Sequence, residues 1–515
     1  MADTDAVVIG SGPNGLVAAA LLARAGWRVT VLERSERPGG AVHSAELTVP
    51  GYVHDPYSAF YGLLHASPVL AELGLDRAVR WAQFEVPVAA AVAPHAAAAL
   101  HADVAATARE LGRVVAGDGD AWHELYRWWL DVGRAFLRQM LGPVGAPGPA
   151  LAFGWRALRR GLLDTTRMLV EPMAALAAER FEDPAARALL ACGASHADVP
   201  VDNPGSVPPA LILALAAQEL GMPVPVGGAG RLAEALVGAV HDAGGTVRCG
   251  AAVTRVVVEG GRAVGVETAD GGALGCARAV LADTGPAALF SRLVGEDAVP
   301  ARYLAGLRRF RYGTGVFKVD LALDGPAPWA APDLERCGVV HLTGDLDDMA
   351  RAACDARHGV PPARPMLIVG QQSVADPSRA PAGGHTLWIE THVPPVPKEA
   401  GSWAAGGDAF LEVVLARLEE HAPGLRGRIV GQAVRTPDDL ERENPNLVGG
   451  DLGAGSMALD QQLVFRPVPG WFRYATPVRG LYLCSASAHP GGGVHGMAGR
   501  NCARRVLADR RVRRR

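Results

Sequence analysis

Residues 5–33, DAVVIGSGPNGLVAAALLARAGWRVTVLE, decide the fold. Ala6 to Ile9 is a short apolar run of the kind buried in a parallel sheet, and Gly10, Gly12 and Gly15 follow it in G-x-G-x-x-G spacing. Gly10 permits a tight turn, Gly12 lets backbone approach a pyrophosphate, and Gly15 lets the next helix lie close on the strand. That helix, Asn14 to Ala25, turns its free N–H groups and about half a positive charge toward the phosphates. Gly26 stops it. Val29 to Leu32 reads as a second strand, and Glu33 follows it where an acid accepts from a ribose 2′-OH. Strand, glycines, helix, second strand and acid in register specify a dinucleotide-binding unit.

The acid continues into ERSERPGGAV, residues 33–42, with Arg37, Pro38, Gly39 and Gly40. Here the chain resembles the flavoprotein amine oxidase and phytoene desaturase superfamily, whose R-x-G-G turn approaches the FAD phosphates. The resemblance implies FAD as cofactor, held at this end by Gly10, Gly12, Pro13, Asn14, Gly15, Glu33, Arg34, Gly39, Gly40, Ala41 and Val42. Family members often have Arg or Ser after the two glycines. Ala41 stands there in this chain, so the backbone must serve.

At 515 residues and 49% hydrophobic, the chain can bury a large core and should divide into two or more domains. A formal net charge of −3 gives no sign of a nucleic-acid partner. Lys318 and Lys398 are the two lysines, and the other basic residues are arginine, a bias of composition with no function attached. The terminal RRVRRR reads as a short disordered basic tail. Seven scattered cysteines with no C-x-x-C spacing argue against both structural disulfides and a redox dithiol. The first strand begins too early for a signal peptide, and no apolar run approaches the ~18 residues of a spanning helix. A cytoplasmic protein is expected.

Along the chain, His54, Asp55 and Tyr57 form a polar cluster in an apolar segment, read as hydrogen-bonded groups of a buried loop or as substrate contacts. Residues 76 to about 220 read as helical, with few strand signals. Trp122, Leu125, Trp128, Trp129, Val132, Phe136 and Met140 recur at helical spacing. Past the break at 142–150, Trp155 and Leu158 alternate with Arg156, Arg159 and Arg160. Two readings stand for this stretch: a helical cap with its arginines in water, or a basic, aromatic surface in peripheral contact with membrane.

From Pro223 the nucleotide-domain pattern returns, with a helix at 231–243, a strand at Thr246 to Arg248 and a hairpin around Glu259 to Arg262. This resembles the superfamily's middle FAD segment, in which backbone at the position of Val253 meets the adenine. Gly227, Gly228 and Gly230 lack the dinucleotide spacing, so one nucleotide site is expected. In the strand pattern of 312–329, Lys318 is a charge among apolar residues and needs a partner or a task. It resembles the superfamily lysine that reaches flavin N5. A salt bridge to Asp320 or Asp324 is the alternative.

The end of the chain carries LYLC, HPGGGV and GRN, residues 481–501. These resemble the phytoene desaturase-like, carotenoid dehydrogenase-related branch. Gly480 to Cys484 reads as a strand, His489 to Gly493 as a glycine loop and Val494 to Ala508 as a helix whose N-terminus can stabilise charge at the flavin N1/O2 edge. The resemblance places Gly493 and Val494 at that edge and Ser485 near the ribityl and phosphate. His489 and His495 flank the loop and titrate in the range of an acid or base.

The fold expected is α/β: a Rossmann-type FAD-binding domain (1–75, 222–295, 455–515) interleaved with an α+β substrate domain (76–221, 296–454), as in amine oxidases and p-hydroxybenzoate hydroxylase. The resemblance implies dehydrogenation of C–C or related bonds in a lipophilic or extended cyclic substrate, with hydride passing to flavin N5 and electrons to oxygen or a quinone. A flavin amine oxidase, a polyene saturase or isomerase, and a non-catalytic FAD protein are the alternatives. Phe465, Trp471, Phe472 and Tyr474 are candidates for the substrate entrance. No metal site is expected.

Overall fold

A computed structural model describes residues 3–512. The opening unit forms as its sequence dictates: strand Thr4–Ile9, helix Pro13–Arg24 and strand Val29–Leu32. Those strands pair in parallel with each other, and Thr246–Arg248 and Ala273–Ala282 extend the sheet on either side. Leu481–Leu483 adds another parallel strand on Ala273–Ala282, while Val253–Glu259 and Arg262–Thr268 complete an antiparallel flap. Segments far apart in sequence thus share one seven-stranded sheet. The C-terminal helix, Met497–Val512, crosses the first helix so closely that a Cβ at Gly499 would lie 1.9 Å from the Asn14 carbonyl oxygen.

A second seven-stranded sheet runs in the order 429–435, 315–323, 385–393, 367–370, 337–342, 86–93, 96–100. One face is dry: Phe317, Val319 and Leu321 pack against Trp403, Phe410 and Val414 of the helix Trp403–His421. The other face looks across a cavity at a layer of helices built from residues 104–220.

Two expectations need correction. The run VPVAAAVAPHAAAAL, residues 86–100, is a hairpin of the second sheet and not part of the helical layer. Alanine favours helix, but strand propensities span only about 1 kcal/mol. Pairing with Cys337–Leu342 and burial of Ala89, Ala90 and Ala91 outweigh that. Within the terminal basic run, the C-terminal helix continues to Val512, so the run is not a tail from its start; residues 513–515 lie outside the described residues.

The tryptophan-rich stretch is helical as read, but as Ala116–Trp128 and Arg134–Leu141 joined by a π-turn at Trp129–Gly133. Trp122, Leu125, Trp128, Trp129, Val132 and Phe136 are all buried. Among the described residues no helix is long and apolar enough to cross a membrane.

Candidate active site

The glycine turn sits at the carboxyl ends of the parallel strands, where open α/β sheets bind ligands. Gly10 has φ +92°, a conformation that side chains disfavour. A Cβ at Gly12 would stand 2.5 Å from Asp283 Oδ2, and one at Gly15 2.5 Å from the Gly10 carbonyl oxygen. Space alone therefore demands Gly15, while a side chain at residue 12 requires the Asp283 carboxylate to move. Glu33 accepts from the Ser11 amide (2.8 Å), the Ser11 hydroxyl (2.7 Å) and the Ser35 amide (2.9 Å). A carboxylate has about four lone-pair sites. One remains for a ribose hydroxyl.

Asp283 ends the strand Ala273–Ala282 and accepts from the Gly15 amide at 2.9 Å, so a carboxyl caps the first helix from outside it. Burial pushes it up to about 7, the amide opposes this, and the charge of Glu33 adds to it. An unfolded Asp titrates near 3.9. The stability this group contributes is therefore full below about pH 4 and is lost as pH rises toward 7, by up to about 4 kcal/mol. Asp283→Asn keeps an acceptor for the amide and removes the charge. We expect the variant's melting temperature to gain on wild type steadily between pH 4 and 7.5; parallel curves would show that Asp283 does not titrate there.

One cavity of about 1030 Å³ runs from this turn to the second sheet. Gly10, Gly12, Pro13, Asn14, Glu33, Arg34, Gly40, Ala41, Val253, Ser485, Gly493 and Val494 lie on its wall. Gly15, Gly39 and Val42 do not, being turned into packing behind it: Gly39 donates to the Ser11 carbonyl and Val42 is fully buried. Beyond Val494 the wall becomes apolar, with Leu137, Leu141, Leu189, Ile212 and Ile368. The helix expected from Val494 begins instead at Met497. Gly496 has φ +67°, outside the helical region, and His495 Nδ1 accepts the Met497 amide at 3.0 Å.

Of the two histidines, His495 is on the wall and His489 is not. His489 Nε2 donates to the Gly142 carbonyl (2.8 Å) and ties the loop to the helical layer. Burial pushes both down to about 4, so both are neutral near pH 7 and poor proton acceptors. Lys318 is buried on its strand, with Nζ 2.6 Å from Asp320 Oδ1 and 4.9 Å from the centre of the Trp388 ring. It is not on the cavity wall, whereas Trp388 is. The salt bridge, not access to the cavity, is what the structure shows.

In the polar cluster after Gly51, His54 and Asp55 are architecture, while Tyr57 also reaches the cavity wall. Asp55 receives Arg379 Nη1 (2.8 Å), the Ala229 amide and the Ser44 hydroxyl, while Arg379 also donates to Asp376. His54 meets Thr48, and Tyr57 donates to Glu443. The aromatics expected at the entrance are elsewhere: Phe465 faces solvent and Tyr474 donates to the His489 carbonyl. Tyr57, Phe60 and Trp388 are the aromatic groups of the wall.

Sequence reading missed several wall groups: Asp283, Thr284, Glu390, His392, His341, His196 and Asp198. For Asp283 and Thr284 a signal existed, since polar residues closing a buried strand mark the ligand end of such a sheet. Arg466 was missed too. Fully buried, it donates to the carbonyls of Ser456 and Ala486 (2.9 Å each) and so joins the two loops that floor the cavity.

The family profile of NAD(P)-binding Rossmann-like domains matches residues 8–73. Mouse pyridine nucleotide-disulfide oxidoreductase domain-containing protein 2 is 30% identical over 98% of this chain and 93% of its own length. A protein of the limonene dehydrogenase of Castellaniella defragrans is 26% identical (98% and 94%), and the neurosporene-forming phytoene desaturase of Cereibacter sphaeroides 25% (96% and 92%). The chain belongs to the phytoene desaturase-like branch of the FAD-dependent amine oxidase superfamily. It is an oxidoreductase. Among solved structures, cyclohexylamine oxidase from Brevibacterium oxydans superposes with TM-score 0.59 at 16% identity, over 99% of this chain and all of that one, so the two chains share a fold. None of the seven cysteines is joined to another in a disulfide.

Proposed function

We propose that the chain binds FAD along the groove from Glu33 to Val494 and dehydrogenates a C–C or related bond of a lipophilic or extended cyclic substrate, with oxygen or a quinone as electron acceptor. The observation that carries this is continuity: one cavity joins a dinucleotide turn to an apolar chamber. The wall fits the cofactor in two further ways. Bare backbone at Gly10, Gly12 and Gly40 leaves a cradle, and the buried Thr284 hydroxyl on the wall has no partner within the protein. When bound, the flavin supplies an acceptor for hydride.

The chain's own residues set the rest. Glu33 would hold the ribose, the Asn14 amide, the first-turn N–H not already bonded to Asp283 or Gly12, would hold phosphate, and the amides near Val494 would stabilise charge on the reduced flavin. The apolar wall excludes water. Gly491, Gly492 and Gly493 place no side chain at that edge; a Cβ at Gly492 would lie 2.9 Å from the Gly453 carbonyl oxygen. An extended substrate therefore has room where a small amine would go unsteered. Anaerobic bleaching of the flavin by an extended lipophile, and not by simple primary amines, is the expected result. Rapid bleaching by small amines with release of ammonia would favour the amine oxidase.

Peripheral contact with membrane belongs to the same reading. Leu151, Trp155, Leu158, Leu162 and Leu163 are exposed along the helices Pro147–Arg160 and Leu162–Val170, beside Arg156, Arg159 and Arg160. An apolar stripe flanked by arginine fits an anionic bilayer surface. We expect co-sedimentation with vesicles containing phosphatidylglycerol, and its loss in Leu158→Glu/Leu163→Glu. Equal pelleting of variant and wild type would remove this face from the interaction.

A further inference from the structure

We propose that the sheet wall of the chamber is built to hold an oxygen atom of the substrate, with Glu390 as the donor that grips it, so that the natural substrate is an oxygenated lipophile, a hydroxyl or carbonyl compound, and not a bare hydrocarbon. This rests on the reading of the chamber as the substrate site.

The cross-strand register sets Ala90, His341, Ile368, Glu390 and Lys318 side by side on one face of the second sheet. His341, Ile368 and Glu390 are on the cavity wall, and His392 joins them two residues along the same strand. A chamber for a pure hydrocarbon needs none of these polar groups, and each is costly to bury without a partner. Glu390 is 8% exposed, and its Oε1 has no hydrogen-bond partner. Its neighbour Lys318 makes no hydrogen bond to that oxygen; the ammonium donates to Asp320.

Burial pushes the Glu390 carboxyl up to about 8, the Lys318 charge opposes this and the Asp320 charge reinforces it. At neutral pH the group is therefore mostly a carboxylic acid, which donates one hydrogen bond and accepts others. An isolated carboxyl kept neutral in an apolar site serves an acceptor oxygen.

The histidines supply the complementary sites. His341 Nδ1 lies 3.2 Å from the Ala89 carbonyl, which can only accept, so the proton is on Nδ1. His341 Nε2 must then accept from His196 Nε2 at 2.7 Å, which leaves His196 Nδ1 an acceptor. His196 keeps open surface toward the cavity although protein encloses it. On the other flank, Asp198 accepts from the Thr314 amide (2.8 Å) and hydroxyl. The Thr314 oxygen therefore accepts from His392 Nδ1 at 2.9 Å, and in the neutral ring His392 Nε2 is an acceptor. One donor and two acceptors on an apolar wall match a hydroxyl, which both accepts and donates, and a carbonyl uses the donor alone.

The test is a matched C15 series, farnesene, farnesol, farnesal and farnesylamine, titrated into the purified holoprotein with tryptophan fluorescence as readout, since Trp388 lies on the wall. Farnesol, farnesal or both should bind about tenfold more tightly than farnesene, the worth of one buried hydrogen bond. Farnesol ahead of farnesal identifies the hydroxyl as the natural group; equal affinities identify the carbonyl-type acceptor as sufficient. Glu390→Leu should bring the series within about twofold while farnesene binds as well or better. Farnesene equal to farnesol in wild type overturns the proposal, and needs no variant to fold. So does a preference that survives in Glu390→Leu. Farnesylamine binding tightest overturns it in favour of an ionised Glu390. Flavin content of the same sample separates the two ideas: no flavin with the oxygen preference intact defeats the proposed function alone, and flavin without the preference defeats this inference alone.

Discussion

Gly12→Val is expected to fold and to purify with less than about a tenth of the wild-type flavin. A Cβ at residue 12 meets Asp283 Oδ2 at 2.5 Å before any ligand is present. The two γ-methyls of valine then project into the groove on whose wall Gly12 stands. Relief requires Asp283 to move, which loosens its bond to the Gly15 amide and unsettles the first turn of the helix that should face phosphate. The clash with Asp283 costs the fold about 1–3 kcal/mol; the flavin is lost through the γ-methyls that fill its groove, where each ~1.4 kcal/mol of binding is a factor of ten in affinity. Gly238→Ala is the control. Gly238 lies within a helix with open space around its Cβ, so alanine there should leave occupancy unchanged and raise stability by up to about 1 kcal/mol. Visible absorbance per chain is the measurement. Full occupancy in Gly12→Val would move the cofactor away from the first glycine turn.

Much of the fold was legible because its signals are local. The glycine turn, the acid after the second strand and the strand Thr246–Arg248 stand where spacing puts them. What escaped reading depends on pairing across long separations. The alanine hairpin at 86–100 is a strand pair because residues 337–342 lie beside it. The polar wall of the chamber was illegible for the same reason. His341, Glu390 and His196 come from three elements, and none has an unusual sequence neighbour. Only the register of Cys337–Leu342, Leu367–Gly370 and His385–Val393 brings His341 and Glu390 into line, and the helix Pro184–His196 ends with His196 against His341. The start of the last helix was misplaced for another reason: Gly496, two residues past HPGGGV, takes a left-handed conformation that holds the helix back to Met497.

Lys318→Met is expected to lower stability by about 3–5 kcal/mol, the cost of breaking a buried ion pair by removing one partner. Asp320 is fully buried; it would lose its 2.6 Å contact to Nζ, and Arg435 Nη1, 4.0 Å from Oδ2, would be the nearest remaining strong cation. His54 Nδ1 lies 3.8 Å from Oδ1; in the wild type burial, then Lys318 and two arginines, hold it down to about 3, and losing Lys318 leaves burial, the largest of these causes, in place. Burial already pushes Asp320 up and Lys318 down, so each keeps its charge chiefly because the other is there. Asp320→Asn added to Lys318→Met removes the orphaned charge and should restore most of the loss. That double variant separates architecture from chemistry. If Lys318 serves only Asp320 and the Trp388 ring, the stable double variant should reduce its flavin with substrate, and reoxidise it, at rates close to wild type in stopped flow. If the double variant melts like wild type yet is slow in either half-reaction, Lys318 reaches the reacting groups in a conformation other than this one, and the salt bridge is a resting arrangement of a working residue.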